Sequence, residues 1–151
     1  MDQTTRGRAP VHLWISGAVA LIWNGFGCYD YLMTRMRNTD YLKEMMPTVD
    51  PQAALAWVDA FPVYAQFGWG LGVWGGLVGA ILLLLRSRWA VLAMGLSLLG
   101  AVVGLGYQAI AAPPLEGMEG PMAAIMPYVI IGVALALFVY ARAMRAKSVL
   151  R

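Results

Sequence analysis

Four stretches without one Asp, Glu, Lys or Arg, residues 9–29, 60–85, 89–115 and 120–141, take up most of this 151-residue chain. Each is long enough to cross a lipid core about 30 Å thick, which takes roughly 20 apolar residues of helix. Hydrophobic residues make up 60% of the chain and charged residues 13%, where soluble domains hold about 45–50% and about 25%. A water-soluble four-helix bundle would carry charge along the outer face of each helix. Here the charges stand at the segment ends. The expectation is an all-α integral membrane bundle, one domain with spans at about 11–35, 60–85, 89–112 and 121–142.

Charge placement orients the bundle. Arg6 and Arg8 precede span one, Arg86 and Arg88 fill the turn between spans two and three, and Arg142, Arg145, Lys147 and Arg151 follow span four. Eight of the eleven basic residues thus share one side. The other side holds Arg35, Arg37 and Lys43, diluted by Asp40, Glu44, Asp50 and Asp59. The positive-inside rule places both termini in the cytoplasm. The same division argues against nucleic acid as the partner of a chain with net charge +3. Cys28, the single cysteine, excludes an intrachain disulfide and reads as a small hydrophobe. The first apolar run continues through the triplet Ala18-Val19-Ala20 to Tyr29, so it reads as an uncleaved span rather than a signal peptide.

Residues 36–59 form the largest non-spanning piece. Asp50-Pro51 supplies an N-cap and a first-turn proline, predicting a short helix over 52–58 at the periplasmic surface. Trp57 would anchor it among the headgroups, and Trp14 and Trp89 would mark the cytoplasmic interface. Pro62 near the start of span two predicts a kink or a frayed first turn. Spans two and three, separated by Arg86-Ser87-Arg88, form a tight antiparallel hairpin. Pro113, Pro114, Gly117 and Gly120 make 112–120 an irregular turn, Pro121 opens span four, and Pro127 lies inside it.

Span two carries Gly68, Gly72, Gly76 and Ala80 at intervals of four, with Gly75 and Gly79 on an adjoining stripe. Lipid tails are as apolar as leucine, so helices associate in a membrane where small residues let backbones approach closely. Ala93, Ser97 and Ala101, with Gly100 and Gly104, give span three a comparable surface. The stripe serves packing of the two–three hairpin or, functionally, the interface with a partner or a second copy.

Polar residues gather at one depth in the outer half. Asp30 and Tyr31 of span one share it with Tyr64, Gln66, Tyr107, Gln108 and Tyr128, while Asn24 lies deeper. Intramembrane polar groups normally face the bundle or a wet cavity. Asn24, Asp30, Tyr31, Gln66, Tyr107, Gln108 and Tyr128 are therefore the candidate ligand-binding residues. At about 100° per residue Asn24 and Asp30 fall on different stripes and do not share a centre, and Asp30 is expected to snorkel to the interface or to pair with Arg35 or Arg37. His12 reads as interfacial. Glu116 and Glu119 lack a third metal ligand, and Met33, Met36, Met45 and Met46 give the outer end of span one an adaptable surface. No nucleophile–base set, phosphate loop, CxxC or haem motif stands in the chain, so neither catalysis nor a metal or other cofactor is expected.

The run Trp23-Asn24-x-x-Gly27-x-x-Asp30-Tyr31 is followed by Val73-Trp74-Gly75-Gly76 and by Leu82-Leu83-Leu84-Leu85-Arg86-x-Arg88-Trp89-Ala90. As a set these resemble a bacterial family of short four-span inner-membrane proteins often labelled "sugar transporter". The resemblance covers roughly residues 14–110, and span four matches only in hydrophobicity. It implies the four-span topology and a bacterial inner-membrane location, and raises solute transport, without assigning binding residues. Leu92 stands near where the family pattern has proline, which implies a straighter third span. The expected function is that of a non-enzymatic accessory or scaffold subunit acting by helix association with a membrane partner or a second copy. The alternative is a small-solute, sugar-like transporter with a polar pocket in the periplasmic half.

Overall fold

The computed structural model describes residues 8–151, which form six helices and no strand. In order these are α1 (Val11–Arg35), α2 (Thr39–Met45), α3 (Pro51–Asp59), α4 (Val63–Leu84), α5 (Ala90–Ile110) and α6 (Pro121–Ala146). α1, α4, α5 and α6 are long and apolar enough to cross a membrane. Arg6 lies outside the described residues.

Helix starts follow local chemistry. The Asp50 carboxylate accepts a hydrogen bond from the Ala53 N–H at 2.9 Å, with Pro51 in the first turn, so α3 begins where its cap dictates. α2 was not among the expectations. Its cap is the Asn38 side chain, which accepts from the Tyr41 N–H at 3.0 Å, and Asp40 sits favourably in its first turn. Seven residues are too few to show a periodicity, but the cap residues were visible. Pro62 corrects another expectation: it neither kinks α4 nor frays it, because the helix starts after it at Val63, with Pro62 extended as the N-cap residue. Its missing N–H falls where a helix has no use for one.

α4 and α5 make the most extensive interface in the bundle. Gly68, Gly72 and Gly75 approach the α5 backbone at Gly104, Ala101 and Ser97, and Gly79 meets Met94. Gly100 in turn lies against the backbone of Gly68, Leu71 and Gly72. The small-residue surface is therefore filled by the chain's own α5. The row that faces α5 is not the four-spaced one. Gly76 instead meets both the Asn24 side chain of α1 and Ser97 of α5, and Ala80 joins a buried cluster at the Arg-rich end. Steps of four and three residues alternate along the contact row, which keeps a 3.6-residue helix facing one neighbour.

The outer helices pack differently. α1 lies along α4, and α6 along α5. They meet at the Arg-rich end, where His12 Nδ1 and the Tyr140 hydroxyl share a hydrogen bond of 2.6 Å. Beneath it Leu13, Ala20, Ala80, Leu83, Met94, Ala141 and Met144 form the buried core. The C-terminal tail straps that end together. The Arg88 N–H donates to the Arg151 carbonyl, and the Arg151 N–H donates to the Arg86 carbonyl, both at 2.7 Å. Leu150 is tucked into the same cluster. The bundle is closed at this end.

Candidate functional site

At the opposite end α1 and α6 leave a cleft between them, floored by α4 and α5. It has two adjoining chambers of about 620 and about 380 Å³, whose walls share Asp30, Trp69, Leu105, Met126 and Ile130. The smaller chamber lies deeper in the bundle, between Trp23, Asn24 and Phe26 of α1 and Val133, Ala134 and Leu137 of α6, over Gly72 and Ser97. The larger chamber opens under the loops, where Met45, Met46, Trp57, Phe61, Gly117 and Glu119 border it.

Asn24 is fixed by its own helix: its amide Nδ2 donates to the Ala20 carbonyl at 2.8 Å. Its Oδ1 occupies the place a side chain at position 76 would need, so glycine there is what lets the amide lie against α4. Beside it Ser97 Oγ donates to the Gly72 carbonyl at 2.6 Å, and Cys28 Sγ to the Val73 carbonyl at 3.2 Å. These three groups turn their donors onto backbone carbonyls, the satisfied arrangement that polar side chains adopt at apolar depth.

Asp30 is held from above. The Tyr41 hydroxyl of α2 donates to its Oδ1 at 2.9 Å, and Tyr29 steadies Tyr41 edge-on with ring centroids 5.5 Å apart. Burial pushes the Tyr41 phenol above its ordinary pKa. The hydrogen bond to Asp30 and that carboxylate's charge raise it further, with Tyr29 and Glu44 adding to the effect. Tyr41 therefore remains a proton donor at any physiological pH. Neither Arg35 nor Arg37 pairs with Asp30, which corrects the expectation. The Arg35 guanidinium lies over the rings of Tyr31 and Trp69 and donates to Gln66 Oε1 at 3.1 Å, while Arg37 bridges to Asp59 at 2.9 Å. Both reach toward α4 and its leading turn, and the acid is left to the cleft.

The seven candidate residues divide. Asn24, Asp30 and Gln108 line the cleft. Asn24 and Asp30 do so together, contrary to expectation, because the cleft is wide and takes in both of their stripes along α1. Tyr31 instead packs edge-on against Trp69 and Trp74. Gln66 caps the α3–α4 corner by donating to the Phe61 carbonyl at 2.9 Å. Tyr107 stacks edge-on with Phe61 and Tyr64, and Tyr128 stands on the outer face of α6, 61% exposed. Sequence reasoning missed the apolar walls, above all Trp69, Met126 and Ile130. An apolar residue facing a cleft and one facing lipid carry the same hydropathy, so only Pro127, buried on that side of α6, could have marked the face.

The loops form a rim over the mouth. Thr48 Oγ1 donates to the Gly117 carbonyl at 2.8 Å, and Trp57 Nε1 to the Pro113 carbonyl at 2.7 Å. Trp57 thus ties α3 to the loop before α6. Among the described residues no group of three or more His, Cys, Asp or Glu could hold a metal. The cleft as built can take up a molecule with an apolar body and hold one polar end near Asp30. No family model, curated protein or solved structure matches this chain, so what the cleft can bind rests on its own residues.

Proposed function

We propose that the chain is a non-enzymatic multi-pass protein of the bacterial inner membrane that binds a membrane-dissolved amphiphile in the cleft between α1 and α6. Both termini lie in the cytoplasm in this reading, and α2, α3 and the 112–120 loop form a periplasmic rim over the cleft. The charge division between the two ends supports that orientation. Its check is simple: a tag after Arg151 should resist protease added to intact spheroplasts and be cut in inverted vesicles.

One observation carries the binding reading. The cleft lies between two helices that share a hydrogen bond at one end and flank both chambers away from it, and its larger chamber reaches the loops. Its walls are dominated by Leu, Ile, Val, Met and aromatic side chains, with Asn24, Asp30, Thr34, Thr48, Ser97, Gln108 and Glu119 as polar points. Apolar walls with a few placed polar groups are the usual make-up of a small-molecule site. A sugar, which needs a partner for each hydroxyl, suits this lining less well than an amphiphile does. Transport of such a molecule is compatible with the same cleft.

An acyl-chain probe bearing a photoreactive diazirine tests the reading. Adducts should concentrate at Met126, Ile130 and Val133 over the outward Ile125, Val129 and Val139. Ala134→Trp, which fills the smaller chamber, should reduce the cleft adducts at least tenfold. Equal labelling of inward and outward positions, unmoved by Ala134→Trp, would remove the site. A second reading, association with a membrane partner or a second copy, has one observation in its favour. The most apolar part of α6 is only 6% buried, against 33% for α5. With the small-residue stripe consumed by α5, a partner helix would have to dock on α6, and adducts there between protein and protein would favour it.

A further inference from the structure

The cleft contains acid without base. Asp30 sits where the two chambers meet, Glu119 stands at the rim of the larger one, and among the described residues no Lys, Arg or His lines either chamber. The single hydrogen-bond partner of the Asp30 carboxylate among the described residues is the Tyr41 hydroxyl, a neutral donor. The guanidinium of Arg35, the one arginine of α1, donates to Gln66 Oε1 and lies over the rings of Tyr31 and Trp69, the latter a wall of both chambers. A carboxylate at membrane depth that lacks a counter-charge is costly, and such groups mark sites where a cation is received. Aromatic rings line the same chambers: Trp57 and Phe61 in the larger, Trp23 and Phe26 in the smaller, and Trp69 in both. Ring faces attract a weakly hydrated cation, most of all one whose charge is spread over alkyl groups.

Resting on the amphiphile reading above, we infer that the ligand of the cleft is a cationic amphiphile, its ammonium-type head at Asp30 and its apolar body against Met126, Ile130 and Val133. The acid supplies the charge partner, the aromatic lining offers ring faces to the alkylated head, and the α6 wall takes the chain. Anionic heads are repelled by the same acid. The head chemistry thus gives selectivity that apolar walls alone cannot.

Three photoreactive probes with one acyl chain and different heads, trimethylammonium, hydroxyl and sulfonate, separate this inference from the reading beneath it. In detergent-solubilised full-length protein the trimethylammonium probe should label the cleft at least tenfold more than the sulfonate probe, with the hydroxyl probe between. Asp30→Asn can still accept from Tyr41, so the α1–α2 contact survives. It should abolish the preference for the trimethylammonium head over the hydroxyl and sulfonate heads. Tyr41→Phe keeps the carboxylate and should keep the preference. Equal labelling by all three heads, or a preference that survives Asp30→Asn, overturns the cationic assignment and leaves the amphiphile reading standing. Labelling by none of them within the cleft overturns both.

Discussion

Gly100→Leu is expected to open the α4–α5 hairpin. A Cβ at Gly100 would lie 2.6 Å from the Gly68 carbonyl oxygen and 2.9 Å from the Leu71 carbonyl carbon, and would also press on the Gly72 nitrogen. All three are backbone atoms of a helix that cannot yield by a rotamer change, so the two helices must separate. Separation removes the close contacts of Gly68, Gly72, Gly75 and Gly104 together, and in lipid no hydrophobic force restores them. The expected loss is about 3 kcal/mol or more, at the upper end of what overpacking costs. It is measured by unfolding in mixed micelles as the fraction of SDS rises. Gly25, Gly106 and Gly132 have nothing within 4 Å of an added Cβ, and alanine at each should stay within about 0.5 kcal/mol of the parent. If Gly100→Leu unfolds with these controls, the hairpin interface does not hold the bundle.

The second large effect is local. Gly117 adopts φ +84, a conformation that favours glycine, and a Cβ there would run into the Thr48 carbonyl, whose carbon would be 2.8 Å away. Alanine at this position costs about 1 kcal/mol for the backbone and about 1–3 kcal/mol for the clash. Neither side can move cheaply, since Thr48 is tied to the Gly117 carbonyl and Trp57 to Pro113. Gly117→Ala should therefore release the rim of the cleft. Amide hydrogen exchange over 36–59 and 112–120 should quicken on the order of 30-fold or more, as about 2 kcal/mol of local stability is lost. Exchange in α4 and α5 should stay as it is. Thr48→Val, which removes one hydrogen bond and adds no clash, should give a smaller change of about 1 kcal/mol. The reverse ranking would mean that the hydrogen bond, not the turn geometry, holds the rim.

Part of the polar level was visible in the residues, and part was not. Asn24 and Asp30 announced themselves because an amide and an acid inside an uncharged span demand an explanation. Their partners did not, since Tyr41 belongs to a helix too short for a periodic pattern, and Gly76 answers Asn24 from fifty residues away. Gln66 and Tyr31 stand at the same depth as Asp30 yet serve a corner and an aromatic stack. Depth follows from counting along a helix. Direction needs to know which neighbour each face meets.

The uncharged stretches alone determined that four helices of membrane-crossing length would form, because a backbone in lipid has to satisfy its own hydrogen bonds. The capping residues Asp50 and Asn38 likewise set local starts by contacts three residues long. Which helix lies beside which was decided by the tertiary structure. Glycine rows fit any smooth partner, and here α5 took the row while α6 packs chiefly on α5. The cleft is the remainder of that choice, a space between α1 and α6 that no single helix encodes, with Asp30 inside it because the arginines that could have neutralised it found partners elsewhere.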